Sequence, residues 1–130
     1  MEKKILVSDP IHPDAILKLL KEGFGVTELL EKDRSKLPEL IQEYHGVICR
    51  TSTVLDAITL ARAKNLSCIA LASTGFDRID TEEATRKNIV VMGLPSYSPD
   101  IDPERDGNFV STSEHAVLLI LAVLGDFYHA

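Results

Sequence analysis

Short apolar runs alternate with segments of helical periodicity along most of this sequence, and that alternation constrains the fold more than any other feature. Each run is rich in β-branched and other apolar residues, which predicts a strand. The five predicted strands are residues 4–8, 25–29, 46–50, 68–72 and 88–92. Helical spacing of apolar or capping residues predicts helices at 12–22, 35–44, 53–63 and 80–88. This order favours a parallel sheet covered by helices on both faces.

The fourth predicted helix carries its own start and stop signals. Asp80 is suited to cap its N-terminus, Glu83 to complete a capping box, and Asn88 to take the left-handed conformation that ends it. The second predicted strand is marked less clearly, because Gly23 and Gly25 flank it. The TELLEKD segment that overlaps it fits a helix equally well, so both alternatives remain open there.

The C-terminal helix differs from the others because it is apolar on every side. Ser111 and Glu114 have the spacing of a capping box, and residues 116–124 form an uninterrupted apolar run. The sheet of one small domain can cover only one face of such a helix, so we expect another chain or domain to cover the other. We expect a single domain with an α/β core at 1–93, an acidic proline-rich loop at 94–110 and this helix at 111–128.

Composition and charge exclude several classes of function. The formal net charge of −6, without a run of lysine or arginine, argues against nucleic acid as a partner. The longest apolar run is about half of the ~18 residues that a membrane span needs, and the N-terminus lacks the apolar region of a signal peptide. We therefore expect a cytoplasmic protein. Cys49 and Cys68 have no metal-ligand spacing, and we expect both to be small buried apolar residues.

Polar residues follow the predicted strands at the edge where parallel sheets bind ligands. A fixed positive charge, hydroxyl donors and a glycine turn together suit a small carboxylate or phosphate. The candidates are Arg50, Thr51 and Ser52 after the third strand, and Ser73, Thr74 and Gly75 after the fourth. A structural interpretation is equally open: hydroxyl residues often cap helices, Gly75 can serve a turn, and Arg50 can pair with Asp9 or Asp77.

Other sites that an α/β protein of this size can carry do not fit the sequence. A receiver domain needs an aspartate where this chain has Arg50, and a flavodoxin needs a hydroxyl-rich loop where this chain has the proline-containing SDPIHPD. No G-x-G-x-x-G turn or catalytic set occurs, so we assign no catalytic or cofactor-binding residue. The acidic pattern from Asp102 to Gly107 imitates a calcium loop, but Pro103 interrupts it, and no metal site is assigned. For His115 we expect a structural role.

Four segments carry a more specific signal: ILVSDPIHPDAILKL, GVICRTSTVLDAITLARAKNLSCIA, GFDRIDTEEATRKNIVV and SEHAVLLILAV. Together they resemble the N-terminal part of the substrate-binding domain of the D-isomer-specific 2-hydroxyacid dehydrogenases, the family of phosphoglycerate, glycerate and formate dehydrogenases. The last segment resembles the helix that leads into the nucleotide-binding domain of that family. The likeness runs from Lys4 to about Val123.

The resemblance implies a role for each candidate residue. Residues 50–52 match the loop that lines the substrate site, and residues 73–75 match the loop whose backbone amides hold the substrate carboxylate. Asn108 matches an asparagine that precedes the Ser-x-x-Glu-His helix. The chain departs from the family pattern at Ser73, where glycine is common, and at Arg78, where asparagine is frequent.

The resemblance also implies NAD-dependent oxidoreductase chemistry that these residues do not complete. In the family, the NAD site and the catalytic arginine, glutamate and histidine belong to a domain with no counterpart here. We therefore predict a flavodoxin-like α/β sandwich with a five-stranded parallel sheet that binds a small 2-hydroxy or 2-keto carboxylate without catalysis. It would bind no cofactor alone and would pair as a homodimer through residues 116–124. The alternatives are a split dehydrogenase completed by a separate NAD-binding chain, and a truncated relic.

Overall fold

One all-parallel sheet organises the chain in a computed structural model that describes residues 2–73, 75–93 and 109–125, with the backbone alone at 109–115. The strands are β1 (Lys4–Val7), β2 (Gly25–Glu28), β3 (Gly46–Cys49), β4 (Cys68–Leu71) and β5 (Val90–Gly93). Their order in the sheet is β2-β1-β3-β4-β5. This is the strand order of flavodoxin-like folds, and the predicted parallel α/β sheet is confirmed.

The helices are shorter than the sequence pattern predicts. They are α1 (Pro13–Lys21), α2 (Leu37–Leu40), α3 (Ala57–Ala61), α4 (Thr81–Arg86) and α5 (Phe109–Leu124). The helix predicted at 35–44 is instead α2 between two 3-10 segments, Glu31–Lys36 and Ile41–Glu43. Pro38 lies in the first turn of α2 and has no N–H to donate to the preceding turn, so an α-helix cannot run unbroken through it.

The helix predicted at residues 53–63 begins later because a loop pairing precedes it. Leu55 forms an isolated parallel bridge with Ile79, which holds its backbone in an extended conformation. Asp56 then caps α3, its carboxylate accepting a hydrogen bond from the N–H of Thr59 at 2.9 Å. The bridge ties the loop after β3 to the loop after β4.

The register of the sheet brings the loops after β3, β4 and β5 to the same edge. Cys49 pairs with Leu71, and Leu71 pairs with Gly93, so the three strands end level. From β1 the chain continues to β2 at one edge of the sheet, whereas from β3 it continues to β4 in the direction of the opposite edge. The switch point therefore lies between β1 and β3, next to the loop after β3, and parallel sheets bind ligands at this carboxyl edge.

Side chains of alternate strand residues build a core on each face of the sheet. Leu6 and Val47 are fully buried on the face that α2, α3 and α4 cover. Ile5 and Ile48 are fully buried on the opposite face, with residues of α1 and α5. The sheet is therefore covered on both faces, as the sequence predicts.

Helix α5 packs one face on β3, β4 and α1. Its buried side chains are Ala116, Val117, Ile120, Leu121 and Leu124. Gly46 permits the close approach, since a Cβ atom at this position would lie 2.9 Å from Cδ1 of Leu124. The Nζ atom of Lys3 donates to the carbonyl of Leu124 at 2.7 Å and so caps the C-terminus of the helix. Leu118 remains half exposed on the outer face.

The bounds of α5 correct the predicted loop at 94–110, because Phe109 and Val110 already belong to the helix. Residues 94–108 and the predicted helix end at 126–128 lie outside the described residues. In the part of the chain that the structure describes, no helix combines the length and the apolar character needed to cross a membrane.

The N-cap and the left-handed C-terminal residue predicted for α4 are confirmed, but the predicted capping box is wrong, because the N–H of Asp80 donates to the carbonyl of Leu55 and not to Glu83. Asp80 accepts a hydrogen bond from the N–H of Glu83 at 2.9 Å, and Asn88 has a φ of 58°. The carboxylate of Glu83 forms an ion pair with the guanidinium of Arg86. Lys87 joins α4 to the C-terminus of α3 by donating to three carbonyls. These are the carbonyls of Leu60, Ala61 and Ala63, at 2.8, 3.0 and 2.8 Å.

Cys49 and Cys68 are buried free thiols on adjacent strands, as predicted. Burial raises the pKa of each thiol to about 12. The charge of Asp9 adds to this effect at Cys49, whereas Lys3 opposes it at Cys68. Both side chains therefore behave as small apolar residues of the core.

We expect neither thiol of the folded protein to react with a soluble aromatic disulfide reagent at pH 8. With pKa values of about 12, both remain protonated there, and the thiolate is the reactive form. The absorbance of the released thiolate measures the reaction. Both thiols should react in denaturant. A thiol that reacts within minutes in native buffer would contradict its burial.

Candidate functional site

An open crevice of about 560 Å³ lies between the loops that follow β3 and β4. Its lining residues are Arg50, Thr51, Ser52, Leu71, Gly75, Asp77, Arg78 and Ile79. The structure thus brings together four of the candidates from the sequence: Arg50, Thr51, Ser52 and Gly75. Sequence reasoning did not assign the charged pair Asp77 and Arg78 to the site.

The remaining candidates are placed differently. Ser73 follows β4 but does not line the crevice, and its hydroxyl oxygen is buried without a hydrogen-bond partner. Thr74 and Asn108 lie outside the described residues. Within the described residues, the loop 73–75 therefore contributes Gly75 to the lining.

The loop after β3 is held in place by Asp9, a carboxylate at the end of β1 that is only 2% exposed. Its Oδ2 atom accepts hydrogen bonds from the N–H of Arg50 at 2.6 Å and from the hydroxyl of Thr53 at 2.8 Å. The hydroxyl oxygen of Ser8 lies 2.8 Å from that of Thr53. These contacts attach the first turn of the loop to β1.

Arg34 completes this network from the segment between β2 and α2. Its Nη2 atom lies 3.0 Å from Oδ1 of Asp9, within ion-pair distance but without the angle of a hydrogen bond. Its Nη1 atom donates to the carbonyl of Ser52 at 3.0 Å. Sequence reasoning missed Arg34, because no spacing rule relates a residue of a 3-10 segment to the end of a distant strand.

The structural interpretation of Arg50 as an ion-pair partner is wrong for the residues that the structure describes. Asp9 binds the backbone N–H of Arg50 and not its guanidinium, and no described ion pair joins Arg50 to Asp77. The guanidinium makes one long contact, 3.5 Å from Nη1 to the carbonyl of Pro10. Arg50 therefore presents an exposed cation to the crevice.

The hydroxyl residues after β3 do not cap a helix either. Helix α3 takes its cap from Asp56, and the hydroxyl of Thr53 is engaged by Asp9. Thr51 and Ser52 are exposed on the crevice wall. The capping interpretation therefore does not account for these two residues.

Gly75 forms part of the opposite wall, and the fold itself does not require a glycine there. A Cβ atom at this position would meet only Oδ2 of Asp77, at an ordinary 3.8 Å, and Gly23 is the described glycine with a positive φ. The effect of the missing side chain is to leave the backbone uncovered beside the crevice. A ligand can approach closely at this point.

The crevice is locally positive in an acidic chain. Two guanidinium groups and one carboxylate line it, whereas the formal net charge of the chain is −6. A guanidinium binds a carboxylate or phosphate through two parallel hydrogen bonds, which suits this wall to a small anion. In the described part of the chain, no group of three or more His, Cys, Asp or Glu residues could hold a metal ion.

The turn after β1 does not fit a dinucleotide. The pyrophosphate of such a cofactor needs backbone N–H donors at a helix N-terminus. Here the buried carboxylate of Asp9 occupies the turn, and Pro10 has no N–H. This part of the chain is therefore unsuited to NAD.

Comparisons with known proteins identify the family. The family model of the D-isomer specific 2-hydroxyacid dehydrogenase catalytic domain matches residues 5–101. The D-3-phosphoglycerate dehydrogenase of Archaeoglobus fulgidus is 36% identical over 119 residues, which are 92% of this chain and 21% of that protein. This chain thus spans about a fifth of the length of the curated relatives that it matches.

Solved structures share the fold. A protein from Pyrococcus horikoshii OT3 is 29% identical with a TM-score of 0.68, over 74% of this chain and 28% of that chain. The 3-phosphoglycerate dehydrogenase of Entamoeba histolytica, solved with bound NAD+, is 28% identical with a TM-score of 0.62, over 73% of this chain and 33% of that chain. The chain therefore belongs to the family of the D-isomer-specific 2-hydroxyacid dehydrogenases, whose catalytic domain it matches over residues 5–101.

Proposed function

We propose that the crevice between the loops after β3 and β4 binds a small 2-hydroxy or 2-keto carboxylate. The observation that carries this proposal is the exposed guanidinium of Arg50, which has no carboxylate partner among the described residues and stands beside two free hydroxyl residues. The guanidinium of Arg50 would bind the carboxylate through two parallel hydrogen bonds. Thr51 and Ser52 would meet the 2-hydroxy or 2-keto oxygen, and the backbone at Gly75 would close the site.

The residues that the structure does not describe enter the proposal through the family resemblance alone. Thr74 would add a backbone amide to the carboxylate site, and Asn108 would contact the ligand from the segment before α5. Relatives that are D-3-phosphoglycerate dehydrogenases favour a short hydroxy acid as the ligand.

Hydride transfer would require a domain that binds NAD, because the turn after β1 does not fit that cofactor. We propose that this chain supplies substrate binding and that any dehydrogenase activity depends on such a domain, in another chain or elsewhere in a longer protein. A module that binds the acid without catalysis is the simplest form of this proposal. The cytoplasmic location remains a prediction from the sequence.

Self-association through α5 is a further part of the proposal. The sheet and α1 cover one face of the helix, whereas Leu118 on the outer face is 50% exposed. A second copy of the chain, or a separate NAD-binding chain, would cover that face.

Replacement of Arg50 by alanine should weaken the binding of glycolate and glyoxylate at least about tenfold, because the charged partner of the carboxylate is lost. The fold should be unchanged, since the side chain lies outside the core. Amide chemical shifts of the labelled chain, followed during titration, measure both effects. Arg62→Ala is the matched control, because Arg62 is also exposed and lies at the C-terminus of α3, outside the crevice. Equal affinity of Arg50→Ala and the control would refute the site.

Replacement of Asp9 by asparagine should lower the affinity for glycolate about three- to tenfold by releasing the loop that carries Arg50. Asparagine keeps an acceptor for the N–H of Arg50 but loses the charge that holds Arg34. In the Arg50→Ala background, the same change should cost less affinity than in the wild type, because Thr51 and Ser52 are then the only contacts of this loop that it can disturb. Asp14→Asn is the control, since it removes the same charge from an exposed side chain. A full additional loss in the double variant would contradict a positioning role.

The wild-type chain should have the solution mass of a dimer, and replacement of Leu118 by glutamate should reduce it to that of a monomer, because the variant places a charge in the proposed contact between two α5 helices. Light scattering measures this mass. Ile58→Glu is the control, since Ile58 is 71% exposed on α3, which covers the opposite face of the sheet. A wild-type chain that is monomeric at all concentrations would exclude self-association and leave a separate NAD-binding chain as the occupant of this face.

A further inference from the structure

Arg78 brings a second exposed cation into the crevice that Arg50 lines. We infer that Arg78 is a second anion anchor, so that the crevice selects a short hydroxy acid with two anionic groups over one with a single carboxylate. This inference rests on the proposed function and names the ligand class of the same site. It also gives a role to the arginine at a position where the family pattern often has asparagine.

The backbone of Arg78 is fixed from both sides. Its carbonyl accepts from the N–H of Leu55 at 2.8 Å, and the N–H of Asp80 donates to the carbonyl of Leu55 at 2.9 Å. The N–H of Ile79 donates to the carbonyl of Phe76 at 3.0 Å and closes the turn before the bridge. The Arg78 side chain therefore extends from a held segment, as the Arg50 side chain does on the other wall. Two anchored cations that face one crevice are organised before a ligand arrives.

None of the neighbouring acidic residues forms an ion pair with Arg78 within the described part of the chain. Asp56 and Asp80 lie nearby, but their carboxylates accept the hydrogen bonds that cap α3 and α4. The bond from the backbone of Thr59 lowers the pKa of Asp56, so its carboxylate stays charged while it caps α3. Asp77 is the carboxylate that lines the crevice itself.

The charge balance decides between the two ligand classes. A ligand with one carboxylate can bind the Arg50 guanidinium, but it leaves the Arg78 guanidinium without a direct anionic partner. The net charge of −6 on the whole chain does not provide such a direct contact. A second carboxylate or a phosphate on the same ligand satisfies both guanidinium groups through charge-assisted hydrogen bonds. The repulsion between such a ligand and Asp77 is weaker than these two contacts, because Asp77 is exposed and its charge is screened by water.

Two matched ligand pairs test this inference on the full chain. Tartronate differs from glycolate by one carboxylate, and 3-phosphoglycerate differs from glycerate by one phosphate. We expect the wild-type chain to bind the more charged member of at least one pair about fivefold more tightly, as followed by amide chemical shifts at constant ionic strength. Arg78→Gln should remove this preference, lowering the affinity for the more charged acid more than the affinity for glycolate. Arg62→Gln, which removes the same charge outside the crevice, should retain the preference.

Each outcome has a distinct meaning. A preference in the tartronate pair alone, lost in Arg78→Gln, supports the anchor and identifies the second group as a carboxylate, whereas a preference in the phosphoglycerate pair alone identifies a phosphate. A preference that survives in Arg78→Gln overturns the role of Arg78. Equal binding within both pairs also overturns it, while the proposed function stands if glycolate binding still depends on Arg50. Failure of the wild-type chain to bind any of the four acids refutes the proposed function itself.

Discussion

The buried carboxylate of Asp9 is the interaction on which the crevice depends. A charge that is almost fully removed from water is tolerated only when donors surround it. Asp9 obtains two donors from the loop after β3, the N–H of Arg50 and the hydroxyl of Thr53, and the guanidinium of Arg34 lies within ion-pair distance from the segment between β2 and α2. The cost of burying the charge therefore enforces the geometry, because a displaced loop would leave the carboxylate without partners. The end of β1 acts as an anchor for the ligand-facing loop after β3.

The charged residues of this region fall into two groups: aspartates that hold backbone groups in place, and arginines whose side chains are exposed to solvent. Asp9, Asp56 and Asp80 bind backbone donors and are engaged within the fold. Arg50 and Arg78 have fixed backbones but no carboxylate partners among the described residues. Local sequence cannot show that an arginine lacks a carboxylate partner. Its pairing depends on which carboxylates are already bound to other donors in the folded chain.

The sequence predicted the sheet well and the site in part. All five strands fall within two residues of their predicted bounds, because short runs of β-branched and other apolar residues mark them whatever their neighbours. The start of α3 was misplaced because the bridge between Leu55 and Ile79 is a contact between distant loops. Arg34 was missed for the same reason. Residues 50–52 and Gly75 could be identified because the edge of a parallel sheet fixes where ligand loops lie, whereas the pairing of each side chain required the fold.

The charge of the whole chain explains why fixed loops matter so much for an anion site. At long range a chain of net charge −6 repels an acid, and at about 0.1 M salt that repulsion decays over roughly 10 Å. Attraction must therefore come from groups in direct contact with the ligand, where a guanidinium forms two hydrogen bonds at once. Such contacts are lost when a loop moves by an ångström, so affinity depends on the backbone that carries the cation. The network of Asp9 on one wall and the bridge of Leu55 and Ile79 on the other supply that rigidity.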